Sequence, residues 1–250
     1  IDGAQREIKI AIYAFNIEEI KEALLRAQQR GVKITLLYAH VNGAAFEEFW
    51  GEAREKIPPI YIGGNIPSTN YSMHHKFMLV DPGQPGQKLY TGSWNWSYLQ
   101  EDLDPNILLE TDNAEIIESY GREFQRLLEN KNGFNKFRLG DFRPWSDLID
   151  FPDGSQVEVW FSPGRERYSI QNRILDLIRE SETSIDVANT IVDSTFIGAA
   201  LVSRALDGVR VRVIFDQLNL APEISIYNYL QKRKDLHGLD NLELIIGGQA

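Results

Sequence analysis

A histidine and a lysine two residues apart, His74 and Lys76, sit in the stretch Tyr71 to Ser97: YSMHHKFMLVD, a Gly/Pro-rich turn, then KLYTGSWNWS. Asp81 completes the spacing H-x-K-x4-D, and Gly92-Ser93-Trp94-Asn95 follows a short turn later. Side chains alternate faces along a strand, so His74 and Lys76 project from one face, which Met78 and Val80 continue. His75, Phe77 and Leu79 take the other face. The unbroken apolar run from Phe77 to Val80 suits a strand covered on both sides. A neutral imidazole is a nucleophile and a protonated one an acid near neutral pH. Beside a fixed positive charge, that chemistry suits a phosphate.

Blander roles compete for the same residues. Two histidines on a core strand can be satisfied by packing alone, and without Lys76, Asp81, Gly92, Ser93 and Asn95 at their spacings that role is preferred. A transition-metal site is disfavoured, because His74 and His75 point to opposite faces. Only His40 and His237 remain as further imidazoles, and the chain has no cysteine. Carboxylate-bound Ca²⁺ or Mg²⁺ stays open. Trp94 and Trp96 could stack on bases, but aromatics beside a buried strand fit core packing better. Lys232-Arg233-Lys234 reads as a solvated helix end rather than a phosphate patch. No Walker A loop, dinucleotide fingerprint, zincin motif or nucleophile elbow is present.

Strands must carry this stretch. Ile8 to Phe15 reads as a buried strand, rich in β-branched and aromatic residues. Asn16 and Glu19 form a capping-box pattern, Ile17, Ile20, Leu24 and Ala27 give a helical stripe, and Gly31 is placed to end it. Val32 to Tyr38 is the next strand, which makes a βαβ unit and a parallel pair. A helix over Phe46 to Lys56 and a short strand at Ile60 to Ile62 precede the motif strand. Lys88 to Thr91 and Ile107 to Glu110 read as strands. Asn113 caps a long amphipathic helix with Ile116, Ile117, Tyr120, Phe124, Leu127 and Leu128 inward.

From Asn130 to Gln156 the pattern breaks into Gly, Asn, Pro and Asp, with Phe137, Phe142, Trp145 and Phe151 as packing residues. Val157 to Phe161 then reads as a strand and Ile170 to Ile178 as a helix, with Ile170, Ile174, Leu177 and Ile178 inward. Ile185 to Val192 reads as a strand, Ser194 to Leu206 as a helix capped by Asp193, and Val209 to Phe215 as a strand. Subtracting 177 lays these last elements on the first: Ile185 on Ile8, Leu201 on Leu24, Gly208 on Gly31. A repeat of this length indicates a duplicated domain. The expected organisation is a first repeat over 1–130, a connection over 131–156 and a second repeat over 157–250.

Length and composition set wide bounds. The 250 residues allow one large domain or two ordinary ones, and 43% hydrophobic with 25% charged residues is ordinary for a globular protein. A net charge of −10 argues against a generally basic nucleic-acid surface, though not against a local basic groove. Without cysteine, no disulfide or thiolate metal site can form, and the redox compartment is undetermined. No apolar run approaches the roughly 18 residues of a membrane span. The chain opens at Ile1 in mid-fold, so the true N-terminus and its targeting information are expected to be absent.

The H-x-K-x4-D pattern with the downstream G-S-x-N resembles the phospholipase D superfamily, the HKD phosphodiesterases. That resemblance implies an α/β fold of two phospholipase D-like repeats, each a mixed, mostly parallel sheet flanked by helices. It implies hydrolysis without metal or cofactor: one motif histidine attacks phosphorus, and a second protonates the leaving oxygen and then activates water or an alcohol. By position His74 is one of the pair, Lys76 neutralises a phosphate oxygen, and Ser93 and Asn95, after Gly92, donate to it. Asp81 belongs to the same catalytic motif, with a supporting rather than substrate-contacting role. The family often places an orienting carboxylate just before a downstream asparagine. Here Pro105 precedes Asn106, and Asp104 is the nearest acid.

The implied partner is a phosphodiester. The Gly92–Ser97 turn resembles the nuclease-type members, which favours nucleic acid. A phospholipid, cleaved by a phospholipase or phosphatidyltransferase, is the alternative, and a pseudo-enzyme binding phosphodiesters without turnover is a different class. Carrying the repeat forward, Leu244-Ile245-Ile246-Gly247-Gly248 falls on Ile60 to Gly64 at an offset of 184, which puts a second motif histidine beyond Ala250. The second repeat is therefore expected to be truncated, its motif supplied by downstream sequence or by His74 of a two-fold-related copy.

Overall fold

The computed structural model describes residues 1–39, 43–63, 72–102, 104–129, 147–163, 169–221 and 225–247. Expectations that fall on His40, Gly64, Tyr71, Phe137, Phe142, Trp145 and Gly248 lie outside these residues. The chain forms two compact units, Ile1–Phe161 and Ser162–Ala250.

In the first unit, strands Glu7–Ile12 (β1), Lys33–Ala39 (β2), Ile60–Ile62 (β3), Lys76–Val80 (β4), Lys88–Gly92 (β5) and Leu108–Thr111 (β6) make one sheet in the order β3-β2-β1-β4-β5-β6. β1 to β3 run parallel, whereas β4 is antiparallel to β1 and continues as an antiparallel meander through β5 and β6. The expectation of a mostly parallel sheet therefore fails for this unit. The link from β4 to β5 is too short for a crossover, so the second strand must turn back on the first.

Alternation along the strands builds a core on each face. Ile8, Ile10 and Ile12 of β1 with Met78 and Val80 of β4 meet helix Glu18–Gln29 (α1) and helix Gly43–Trp50 (α2) through Leu24, Ala27, Phe46 and Trp50. Ala11, Phe77, Leu79 and Leu89 face the other way and meet Ile116, Ile117, Phe124 and Leu127. Those four lie on helix Ala114–Glu129 (α4), which follows the short helix Tyr98–Asp102 (α3). Gly31 ends α1 at φ +90°, a left-handed conformation that costs glycine little.

Local caps differ in part from expectation. Asn113 does cap α4, its Oδ1 accepting from the Glu115 and Ile116 amides. Asn16 does not cap α1, which starts two residues later; its Oδ1 accepts instead from the Tyr98 amide. The expected helix over Phe46 to Lys56 is α2 followed by a 3-10 turn, Gly51–Glu55.

Strands Asp147–Asp150 (β7) and Gln156–Val159 (β8) pair antiparallel, and Ile149, Val159 and Phe161 join the core beneath α4. The residues from Val157 that were expected to open a second repeat thus pack in the first unit. The second unit holds helix Ile170–Glu180 (α5), strand Ser184–Asn189 (β9), helix Thr195–Leu206 (α6), strand Arg210–Asp216 (β10), helix Tyr227–His237 (α7) and strand Leu242–Gly247 (β11). Its sheet, β11-β10-β9, is wholly parallel. Ile8 pairs with Ile34, and Ile185 with Val211, so both partners are displaced by 177. Across the next strand the pairings Leu37 with Ile60 and Ile214 with Ile245 give 185, one more than the sequence suggests.

Two details of the second unit depart from the pattern. Ser194, not Asp193, caps α6, accepting from the Ile197 amide. On α5 the buried residues are Leu175 and Ile178, while Ile174 and Leu177 are exposed.

Candidate active site

β4 begins at Lys76, so His74 and His75 lie just outside the ladder, whose last pair with β1 is Ile12 with Lys76. Because β4 runs against β1, this is the sheet edge where the parallel strands end, the place where open α/β sheets commonly bind ligands. His74 is exposed, with its ring set edge-on against Tyr13 at 4.4 Å between centroids. Lys76 Nζ donates to the His74 carbonyl oxygen at 2.9 Å and lies 3.3 and 3.4 Å from the two His74 ring nitrogens. It also sits 5.3 Å from the centroid of the Tyr13 ring.

The electrostatics follow from that crowding. Partial burial, then the Lys76 charge, then His75 all disfavour the imidazolium, so His74 titrates below its ordinary value of 6.5. Burial pushes the Lys76 ammonium down to about 8. At neutral pH the arrangement is therefore a neutral imidazole beside a cation that is still charged. Such a pair can attack an electrophilic phosphorus and hold a non-bridging oxygen.

The Gly92–Asn95 turn reaches the same edge, since the pairing of Phe77 with Thr91 carries it alongside Lys76 and His75. Gly92 admits no side chain: a Cβ there would lie 1.9 Å from the Ile107 carbonyl oxygen. Ser93 is bound into the turn. Its hydroxyl donates to Asn106 Oδ1 at 2.9 Å and accepts from the Ile107 amide at 3.0 Å, so its one proton is already used. Asn95 is buried, its main-chain N–H donating to Gln100 Oε1 and its side-chain Oδ1 without a hydrogen-bond partner among the described residues. Asp104 is exposed and lends its main-chain carbonyl to Asn106 Nδ2. Among the described residues no hydrogen bond joins Asp104 to His74. Trp96 is buried in the first core and Trp94 packs against it, which favours the packing role of both rings over base stacking.

Asp81 stands apart from this group. It directly follows β4, roughly 20 Å from His74 at ~3.3 Å per strand residue, and so lies away from the His74–Lys76 pair. Its carboxylate instead accepts three main-chain amides at the start of β1: Gln5 at 2.8 Å, Arg6 at 2.7 Å and Glu7 at 2.8 Å. Burial alone would raise this carboxyl, but those amides hold it below its ordinary range. Asp81 adopts φ 47°, a left-handed conformation that aspartate tolerates better than most residues. Asp81→Ala is expected to destabilise the protein by about 2–4 kcal/mol, because three main-chain donors at partly buried bonds lose a charged acceptor. The thermal midpoint should drop by roughly 5–10 °C, with turnover below the transition within about threefold of wild type. A large loss of kcat without a loss of stability would return Asp81 to the catalytic set.

Two contributors were not singled out from the sequence. Tyr13 lies one residue past β1, and alternation gives its side but not its contact with His74. Glu123, on α4, is 3% exposed and hydrogen-bonded to His75 at 2.8 Å. A glutamate on the apolar face of an amphipathic helix was the available signal. Among the described residues no cluster of three or more His, Cys, Asp or Glu side chains is placed to hold a metal ion. Among them, too, no helix is long and apolar enough to cross a membrane.

Comparison with known proteins agrees with the motif. The family described as "Cardiolipin synthase, PLD-like domain" matches residues 1–128. The mitochondrial cardiolipin hydrolase of Xenopus laevis is 29% identical over 131 residues, 51% of this chain and 57% of that protein. The chain thus spans about half the length of the curated relatives it matches. Among solved structures, NucT from Helicobacter pylori is 26% identical, covering 53% of this chain and 85% of its own, with a TM-score of 0.46. The phosphatidylserine synthase of Haemophilus influenzae Rd KW20 covers 100% of this chain and 69% of its own at a TM-score of 0.70 and 13% identity, a likeness of fold alone. With the family match covering the sheet, α4 and the His74–Lys76 edge, the chain belongs to the phospholipase D superfamily.

Proposed function

We propose that this protein is a phosphodiesterase that works through a covalent phosphohistidine at His74. The contact of Lys76 with His74 carries this reading, since it adds to burial in keeping the ring neutral and sets a cation beside the nucleophile, where it can meet a phosphate oxygen. A His74 ring nitrogen attacks phosphorus as the bond to the leaving oxygen breaks, and a second histidine donates a proton to that oxygen. The second histidine then takes a proton from water, the water oxygen attacks phosphorus, and the P–N bond breaks to restore His74. We assign the second histidine to another motif of the same type in a two-repeat protein, or to His74 of a second copy. Gly92, Ser93, Asn95 and Asn106 shape the turn beside the phosphate rather than all binding it.

For the substrate, the Gly92–Ser97 sequence favours nucleic acid. The packing of Trp94 and Trp96 in the core and the name of the cardiolipin hydrolase relative favour a phospholipid as the second reading. The test is cleavage by the full-length protein, in EDTA, of a single-stranded DNA oligonucleotide and of cardiolipin vesicles. DNA cleavage is expected without added metal. Vesicle hydrolysis with intact DNA would move the assignment to lipid, and activity only after metal is restored would contradict the phosphohistidine route. Binding without turnover of either would leave the pseudo-enzyme.

A further inference from the structure

The catalytic histidine lies where the sheet no longer holds the chain. Residues 72–75 have no regular secondary structure, and the β1–β4 ladder stops at Lys76. Met73 is buried in the core under α4, but an apolar contact fixes depth better than rotation. The directional anchor is on the opposite face of β4 from His74. His75 Nε2 lies 2.8 Å from Glu123 Oε1, and Glu123 is itself gripped by Arg126, whose Nε donates to Oε2 at 2.6 Å and whose Nη2 donates to Oε1. Glu123 and Arg126 stand three residues apart on α4, so both reach the same point of the sheet. The His75 ring is further set edge-on against Phe77 at 5.7 Å and Phe161 at 5.9 Å.

The chemistry of the cluster decides the roles. Burial alone would raise the Glu123 carboxyl, but the hydrogen bonds from His75 and Arg126 hold it below its ordinary range. An ionised carboxylate only accepts, so His75 Nε2 carries the proton and donates. A buried carboxylate left without its donors would be strongly unfavourable, which gives the arrangement one preferred geometry.

We propose that Glu123, backed by Arg126, is a positioning residue: by holding His75 it fixes the adjoining peptide and thereby the aim of His74 and the Lys76–His74 carbonyl contact. This rests on the phosphodiesterase reading of the same site. The anchor replaces the ladder bonds that β4 lacks at this end, and it acts on the reactive ring through one peptide unit.

The test compares His75→Phe, which keeps a ring against Phe77 and Phe161 but removes the donor, with His75→Gln, which retains a donor. Both leave the Glu123–Arg126 pair intact. In the full-length protein, His75→Phe should lower kcat roughly 10- to 100-fold, the scale of a small misplacement of a reacting group, with KM changed less than about twofold. His75→Gln should keep at least about a third of wild-type kcat, and in His75→Phe the His74 ring resonances should broaden, with the thermal midpoint lowered by only roughly 2–8 °C because Arg126 still holds Glu123. Wild-type kcat in His75→Phe, or equal losses of kcat in both variants, would overturn the positioning role. If the wild-type protein shows no turnover above His74→Ala, it is the phosphodiesterase reading that fails. The ring resonances then decide positioning alone, unchanged line widths in His75→Phe refuting it and broadening supporting it.

Discussion

Replacing His74 by alanine is expected to lower turnover by about 10⁴-fold or more while the fold survives. A covalent nucleophile has no substitute, because both chemical steps pass through the bond it makes. Its ring contributes little to stability: it is exposed, touches Tyr13 at one edge and lies outside the ladder. Surface changes of this kind shift stability by roughly 0.5 kcal/mol or less. The measurements are kcat on the better of the two substrates and the thermal midpoint of the same preparation. Residual turnover within about tenfold of wild type would place the nucleophile elsewhere.

Lys76→Met carries the second large effect, a loss of about 10² to 10³ in kcat/KM, the usual cost of removing one preorganised group from a developing charge. The pH dependence sharpens it. His74 must be neutral to attack, so the rate should rise with pH through its lowered value, below 6.5. Lys76 must be charged, so the rate should fall again as pH passes its value of about 8. The profile of kcat/KM, which reports the free enzyme, should therefore be bell-shaped, its alkaline limb set by whichever of Lys76 and the proton-donating second histidine loses its proton first. Lys76→Met removes one of the causes that depress His74, so its acid limb should move upward. An acid limb that stays in place would mean that Lys76 does not act on His74.

Much of this was legible in the residues themselves. The β1–α1–β2 unit, the Asn113 cap and the inward stripe of α4 follow from periodicity and capping chemistry, which are local. The two faces of β4 follow from alternation, which placed His74 and Lys76 apart from His75. What was not legible depends on residues distant in sequence. A supporting role for Asp81 follows from its place in the motif, but not that its carboxylate closes the start of β1, 74 to 76 positions away. Asn16 has the chemistry of a helix cap, but the Tyr98 amide, 82 positions on, takes its oxygen. Strand direction is likewise absent from hydrophobic periodicity: the short β4–β5 link dictates a turn back, but the antiparallel pairing of β4 with β1 could not be read. The Val157 segment has the pattern of an opening strand, and only its pairing with β7 assigns it to the first unit. Glu123 shows the same limit, since its meaning appears only once α4 is laid across β4.

The central claim is a covalent bond between phosphorus and His74. The direct measurement is to quench the full-length protein with acid-sparing denaturant during turnover, digest it and locate phosphorylated peptides by mass spectrometry. A base-stable, acid-labile adduct on His74, formed and lost at rates compatible with kcat and missing in His74→Ala, is the predicted result. Sustained turnover with no adduct on His74, or with the adduct on another residue of this chain, would contradict the account.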